Sequence, residues 1–185
     1  MKKTVIMLVA ICFVSLASAQ VRKINLKNST ITWIGKKITG EHQGSLVFKD
    51  GALTFKNKKL TSGNFTVDMT SLTNTDQTGS GKEKLEGHLK SGDFFATDEF
   101  KTAKLIFKSI KEKSKGTYGI AADLTIKGKT NPVNFDLITK GKTATANLII
   151  DRTKYGIQYG SGSFFDDLGD RTIYDEFELN VRLSY

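Results

Sequence analysis

The side chains able to do acid–base, nucleophilic or metal chemistry are few and scattered. His42 and His88 are the two histidines. Neither has a second His or Cys at ligand spacing, whereas a catalytic zinc centre needs three protein ligands. The one cysteine, Cys12, lies in an apolar N-terminal run. Gly160-Ser161-Gly162-Ser163 contains a serine between glycines but lacks the strand–turn–helix context of a nucleophile elbow. Asp166, Asp167 and Asp170 form a short acidic loop run of the kind that is ordinarily solvated. No base stands beside a nucleophile, so neither catalytic residues nor a cofactor or metal is expected. The remaining polar residues of interest are His42, Asp151, Arg152, Tyr155 and Tyr159, and what they do depends on the elements that carry them.

Those elements are strands. In Tyr118–Ile126 every even residue is apolar, in Val133–Leu137 every odd one, and Phe177–Leu183 alternates without a fault. Period-two alternation is the mark of a strand with one wet and one dry face. Weaker alternation runs through Ser29–Ile38, Gly44–Phe48, Ala52–Phe55, Leu60–Met69, Ala103–Phe107 and Thr143–Ile150. Asp50-Gly51 reads as a tight hairpin between two of these runs. Lys127-Gly128-Lys129 and Lys140-Gly141-Lys142 separate later ones. Eight or nine antiparallel strands result, and an open sheet of that number would leave a large apolar face in water. The chain is therefore all-β, closed into a barrel or folded as a sandwich. One segment departs from the pattern: Leu85 and Leu89, four apart among charges in Lys82–Lys90, predict a short amphipathic helix, with Asn74–Gly81 before it as a loop.

The N-terminus reads as an export signal. Lys2 and Lys3 precede an apolar run from Val5 to Leu16, and Ala17-Ser18-Ala19 forms an A-x-A site. The run is shorter than the roughly 20 residues a membrane helix needs, so cleavage after Ala19 and a periplasmic or secreted location are expected. Cys12 would leave with residues 1–19; a lipoprotein would need a small residue before it, and Ile11 stands there. Residues 20–185 then form one domain without linker or disulfide. The net charge of +9 is spread along the chain as lysine rather than concentrated in a block. That excludes a nucleic-acid groove and suits a solvated surface with a weak attraction to anionic membranes.

Barrels of about eight strands either fill their interior with side chains or hold one ligand. Trp33, Phe48, Phe55, Phe65, Phe107, Tyr118 and Phe135 are inward candidates for either role. Paired phenylalanines in connecting segments, Phe94-Phe95 and Phe164-Phe165, are candidates for a lid over an apolar lumen or for plugs at the barrel ends. An outer-membrane barrel is the rival from another class, because Phe177–Tyr185 is an alternating strand with a terminal aromatic residue. Short strands, missing aromatic girdles and the helix speak against it.

The order of several segments resembles the YceI-like family of lipid- and polyisoprenoid-binding proteins. Trp33-Ile-Gly-Lys-Lys-Ile-Thr-Gly40-Glu-His42-Gln-Gly44 resembles its first strand pair, and Val67–Leu72 its Asp-x-x-Ser-Leu segment. Leu85–Phe95 is similar to its helix and double phenylalanine. Asp123–Val133 is similar to its most diagnostic hairpin, and Asp151–Ile157 to its late Arg-x-x-aromatic-Gly-Ile element. Ala122 stands where the family often has glycine, and Lys101 follows Phe100 where it often has proline. The resemblance implies a lipocalin-like antiparallel β-barrel around a long apolar tunnel. It also implies an isoprenoid, quinone or fatty-acid-derived ligand, and a carrier rather than an enzyme. The polar head would meet His42, Asp151, Arg152, Tyr155 or Tyr159, with Arg152 suited either to phosphate or to an ion pair with Asp151 or another rim carboxylate. An isomerase or hydrolase acting on a bound lipid, an extracytoplasmic stress protein, and a homodimer through a shared edge or rim are compatible alternatives.

Overall fold

The computed structural model describes residues 19–185. The expected signal segment up to Ser18, with Cys12, lies outside the described residues. The order of elements is β1 (Ala19–Lys23), β2 (Thr30–Lys37), β3 (Gly40–Lys56), β4 (Lys59–Asn74), α1 (Gly79–Lys90), β5 (Thr102–Ser114), β6 (Thr117–Ile126), β7 (Lys129–Lys140), β8 (Thr143–Asp151) and β9 (Ile173–Ser184). A one-turn 3-10 segment, Arg152–Tyr155, follows β8, and a second, Gly169–Arg171, precedes β9.

Every neighbouring pair is antiparallel. The sheet runs β3-β2-β9-β8-β7-β6-β5-β4 and closes on itself through β3–β4. This is the lipocalin-like eight-stranded barrel with one helix that the resemblance implies, and closure decides between the barrel and the sandwich that alternation alone left open. Closure removes the free edges an open sheet would leave. The ninth strand, β1, pairs with the second half of β3, Ala19 opposite Lys56 to Lys23 opposite Ala52, and so continues the line of β2. The dry faces point inward: along β6 Tyr118, Ile120, Ala122, Leu124 and Ile126 are buried alternately with more accessible neighbours. Outside, Lys104, Lys108, Asp123 and Asp136 stand on the barrel wall, with Lys108–Asp123 at 3.4 Å. Charges on the outer face are the reverse of what a membrane-spanning barrel needs. No described helix is long and apolar enough to cross a membrane, which says nothing of strands.

The expected hairpin at Asp50-Gly51 is not there. Gly44–Phe48 and Ala52–Phe55 are one strand, β3, with a bulge opposite β4 near Phe48 and Asp50. The true turn is Asn57-Lys58, both with positive φ (51° and 66°), the geometry of a two-residue primed hairpin. Gly51 serves a different need. A Cβ there would stand 2.5 Å from Phe65 Cδ1, so the absent side chain makes room for a ring laid on the backbone. The Lys127-Gly128 turn is as expected, with φ of 49° and 72°.

Two further features position the site. Helix α1 begins at Gly79, earlier than its apolar spacing indicates, and packs on β4. Glu86 ties it down: Oε1 accepts from Thr73 Oγ1 (2.7 Å) and from the Asn74 backbone N–H (2.8 Å). Meanwhile β7 and β8 pair only over Leu137–Lys140 and Thr143–Ala146. Pro132, which has no N–H to donate, lies in the part of β7 that β8 does not ladder. The Arg152–Tyr155 turn packs against β7 there, with Tyr155 and Ile157 buried.

Candidate functional site

The interior divides into a solid part and a hollow part. Phe48, Phe65, Phe107 and Phe135, from β3, β4, β5 and β7, form a continuous band of rings with successive centroids 6.1, 5.8 and 5.9 Å apart. Beyond the band, away from α1, the barrel is filled. Tyr118, Leu53, Leu137 and Leu183 are buried there, Phe55 stacks on Tyr185 at 5.7 Å, and Arg22 lies over the Phe55 ring at 4.7 Å.

Between the band and α1 lies a cavity of about 280 Å³. Its deep wall is Ile31, Leu46, Val67, Ala103, Leu124 and Leu179. Nearer the opening come Trp33, Met69, Leu72, Phe94, Phe95 and Phe177, and Leu85 and Leu89 of α1 cover it. The hollow exists because inward residues shrink toward this end. Phe107 gives way to Ala103 along β5, and Phe65 to Val67 along β4. Gly35 lines the cavity with nothing within 4 Å of where its Cβ would be. Trp33 fits beside β3 only because Gly44 has no side chain: a Cβ there would stand 2.4 Å from the indole and clash with the Thr73 carbonyl.

The polar groups concentrate at the α1 end. His42, Lys36, Lys37, Glu176 and Tyr174 line the mouth. His42 Nδ1 is 2.8 Å from Asp76 Oδ2, and the Gln43 N–H donates to Asp76 Oδ1 at 2.8 Å. Buried Asn74 also donates to Asp76. Partial burial pushes the Asp76 carboxyl up, but the bonds from His42, Gln43 and Asn74 win and hold it below the ordinary aspartate value. Glu86 is likewise held low, first by the Thr73 hydroxyl and then by the Asn74 N–H. Lys36 Nζ meets Glu178 at 2.6 Å. His88 faces the cavity from α1 with its ring against Phe94 (5.5 Å) and Tyr159 (4.4 Å). Two buried wall atoms, Trp33 Nε1 and His88 Nε2, have no hydrogen-bond partner among the described residues. A buried indole N–H without an acceptor is costly, and a guest bearing an acceptor oxygen would satisfy it.

Several expected site residues stand elsewhere. Phe48, Phe55, Phe65, Phe107, Tyr118 and Phe135 point inward but pack the solid part and do not line the cavity. Phe94 and Phe95 do line it, yet as buried wall (6% and 9% exposed) rather than as a mobile tip. Phe164 and Phe165 cover nothing: each is about half exposed, at 49% and 50%, on the loop before β9. Asp151 faces away from the cavity and accepts from Thr153 N (2.9 Å) and Oγ1 (2.6 Å). Tyr155 is 1% exposed at the β7–β8 seam, and burial pushes its hydroxyl up to about 12. Tyr159 reaches the site only through its contact with His88.

Arg152 is the sharpest correction. It lines the cavity and is 2% exposed, but its guanidinium is already occupied. Nε donates to the Tyr174 carbonyl (3.1 Å), Nη1 to Ile157 O (2.9 Å) and Nη2 to Ile173 O (2.9 Å). Asp175 lies 3.5 Å from Nη2, and the Phe94 ring packs 5.4 Å away. Arg152 staples the turn after β8 to the start of β9, and its expected ion pair is with Asp175 rather than Asp151. Three of its five N–H donors are thus held by main-chain carbonyls. The sequence reading missed Lys36, Lys37 and His88. Trp33–Gly35–Lys37 share one face by alternation, and His88 lies on the same helix as Leu85, so a signal existed for Lys37 and His88.

Comparison with known proteins agrees with this architecture. A family model described as a YceI-like domain matches residues 23–185. A UPF0312 protein of Staphylococcus aureus (strain USA300) is 40% identical over 88 residues, covering 42% of this chain and 48% of that one; the chain thus spans about half the length of the curated relatives it matches. The crystal structure of BcnA from Burkholderia cenocepacia superposes with a TM-score of 0.69 at 21% identity, over 88% of this chain and 99% of that one. A polyisoprenoid binding domain from Saccharophagus degradans gives 0.57 at 12% identity, over 90% and 97%. These structural likenesses establish the fold.

Proposed function

The chain belongs to the YceI-like family, and on that premise we propose that it is a carrier that shelters the apolar tail of an amphiphilic lipid in the hollow half of its barrel. The observation that carries this reading is the cavity between the phenylalanine band and α1, almost wholly apolar inside and polar at its mouth. Each methylene moved from water into such a site contributes roughly 0.8 kcal/mol, so a tail binds without a charged partner. The polyisoprenoid ligand named for the Saccharophagus domain belongs to the same chemical class; an isoprenoid, quinone or fatty-acid-derived tail fits the walls equally.

The head of that lipid belongs among Trp33, His42 and His88, with Lys36 and Lys37 outside them. Because Arg152 is committed to three carbonyls, a neutral head with an acceptor oxygen suits the site better than a phosphate. No side chain at the cavity is paired as nucleophile and base, which favours binding over catalysis. The N-terminal signal pattern supports export, where a lipid tail needs a soluble host. The exposed Phe164-Phe165 loop and the lysine-rich surface support brief contact with a membrane during loading. Mass spectrometry of lipids extracted from the natively purified protein tests the reading. A near-stoichiometric apolar lipid is expected, and protein free of lipid that also takes none up would refute it.

A further inference from the structure

Along the chain the lysines are spread; in space many of them are not. Strand connections alternate between the two ends of the barrel. The β3–β4, β5–β6 and β7–β8 turns and the loop between β1 and β2 all fall at the end opposite α1. Bonds join them into a ring. Lys59 of the first turn meets Glu112 beside the second at 3.0 Å. The Thr139 N–H, beside the third, donates to Gly116 O of the second at 2.7 Å. The Tyr185 N–H donates to Lys142 O of the third (2.9 Å), and the Asn25 N–H of the loop to Ser184 O (2.7 Å). Lys56, Lys58 and Lys59 stand at the first turn and Lys111, Lys113 and Lys115 at the second. Lys140 and Lys142 stand at the third and Lys27 on the loop, and all nine are exposed. Lys59 pairs with Glu112, and Lys113 with Asp136 at 2.6 Å. The other seven have no ion-pair partner among the described residues. Carboxylates gather toward the other end, where Asp76, Glu86, Asp175 and Glu176 stand near the mouth.

We propose that this lysine ring docks the barrel, closed end down, on an anionic lipid surface. Behind the ring the barrel is filled by Phe55, Tyr118, Leu137 and Leu183, so the lysines rim a solid face and present their charges to a plane. They are lysines, hydrated point charges that suit a fluid layer of head groups better than the fixed bidentate contacts arginine makes. Arg22, at the same end, is instead laid over the Phe55 and Tyr185 rings. Leu26, next to Lys27 in the loop, is 42% exposed and is placed to enter the head-group layer beneath the charges. The carboxylates at the far end turn that end away from an anionic surface. The Phe164-Phe165 loop also lies at the far end, where Ser163 donates to Asp175 at 2.6 Å. Docking and loading therefore use opposite ends, and a docked barrel keeps its mouth free. This deepens the membrane contact of the reading above but does not depend on what the cavity holds, so either fails without the other.

The test is co-sedimentation with vesicles of phosphatidylcholine alone and of equal parts phosphatidylcholine and phosphatidylglycerol, with heparin as a soluble polyanion for comparison. The protein is expected to bind the mixed vesicles, to leave them as salt is raised and to ignore pure phosphatidylcholine. Each lysine near the surface contributes about fivefold in affinity. The triple variant Lys56→Ser, Lys115→Ser, Lys142→Ser, which touches three of the turns, should therefore bind roughly a hundredfold more weakly. A second triple with the same change in net charge, Lys84→Ser, Lys101→Ser, Lys154→Ser at the mouth end, should lose less than about fivefold. Circular dichroism checks folding, and the single variants of the ring, at about fivefold each, carry the test if the triple does not fold. Equal losses from the two triples would mean that net charge alone attracts the protein, and would overturn the docking face. Binding to heparin without binding to the mixed vesicles, or no binding to the vesicles at all, would overturn it as well. Uptake of an apolar reporter by the cavity is unaffected by the ring variants, so loss of docking and loss of lipid binding are read separately.

Discussion

Below the phenylalanine band the barrel is solid, and between the band and α1 it is hollow, although the same strands build both halves. On β4, Phe65 closes against Phe48 and Phe107 while Val67, its neighbour on the inward face, borders empty space. Glycine is used in two opposite ways. Gly51 and Gly63 in the solid half, and Gly44 under Trp33 in the hollow half, seat rings pressed onto them, whereas Gly35 faces a void. The lesson is that alternation decides which residues point inward, and side-chain volume along the barrel axis decides whether inward means core or cavity.

That contrast is open to attack at several points. The largest expected effect is on stability. Phe65→Ala removes a ring from the packed band and should cost about 3–5 kcal/mol, while Val67→Ala, beside the void, should cost only about 1 kcal/mol. Urea denaturation of the two variants measures the gap, and equal costs would erase the distinction between the halves. Next, Arg152→Lys keeps the charge but loses the fork that holds three carbonyls, at an expected loss of about 2–3 kcal/mol. Affinity for phosphate-headed lipids should fall no more than that for alcohols, as isothermal titration calorimetry would reveal. Gly35→Leu fills the void: binding of an apolar reporter should weaken at least about tenfold, with stability changed by less than about 1 kcal/mol.

A smaller effect concerns acid. Asp76 and Glu86 titrate below their ordinary values in the folded chain, so they stabilise it above about pH 4 and that contribution is lost as pH falls below it. The α1–β4 tether should therefore weaken between about pH 5 and pH 3, by on the order of 1 kcal/mol, and hydrogen exchange in α1 should rise before that of β6. Glu86→Gln should flatten this dependence. Smallest of all, Phe164→Ser with Phe165→Ser should leave stability within about 0.5 kcal/mol. If the loop touches membrane during loading, the double variant should slow lipid uptake from vesicles while leaving affinity for dispersed ligand unchanged.

Much of the fold was legible because alternation is a direct consequence of strand geometry. The alternating run Tyr118–Ile126 became β6, a strand buried on one side, and the Leu85–Leu89 spacing became α1. Asp50-Gly51 misled because Asp-Gly has two physical uses, a positive-φ turn and a seat for a ring, and only the three-dimensional position of Phe65 separates them. The site was half legible. Trp33, Phe94, Phe95, His42 and Arg152 do meet at one cavity, but the other phenylalanines share their periodicity and differ only in depth along the axis, which period two does not encode. The small inward residues Gly35, Val67 and Ala103 marked the hollow end, a cue in what is missing rather than what is present. The commitment of Arg152 was not legible at all, since its partners are main-chain carbonyls that any sequence would supply.

Trp33 is the one tryptophan of the chain and forms part of the cavity wall, so its emission reports on the hollow directly. Titration with 10-bromo-1-decanol, whose heavy atom quenches indole on contact, should extinguish Trp33 emission saturably at one ligand per chain, and Leu179→Arg in the deep wall should abolish the effect. Displacement of a bound reporter by the same alcohol with Trp33 emission left unquenched would place the ligand elsewhere and contradict the account.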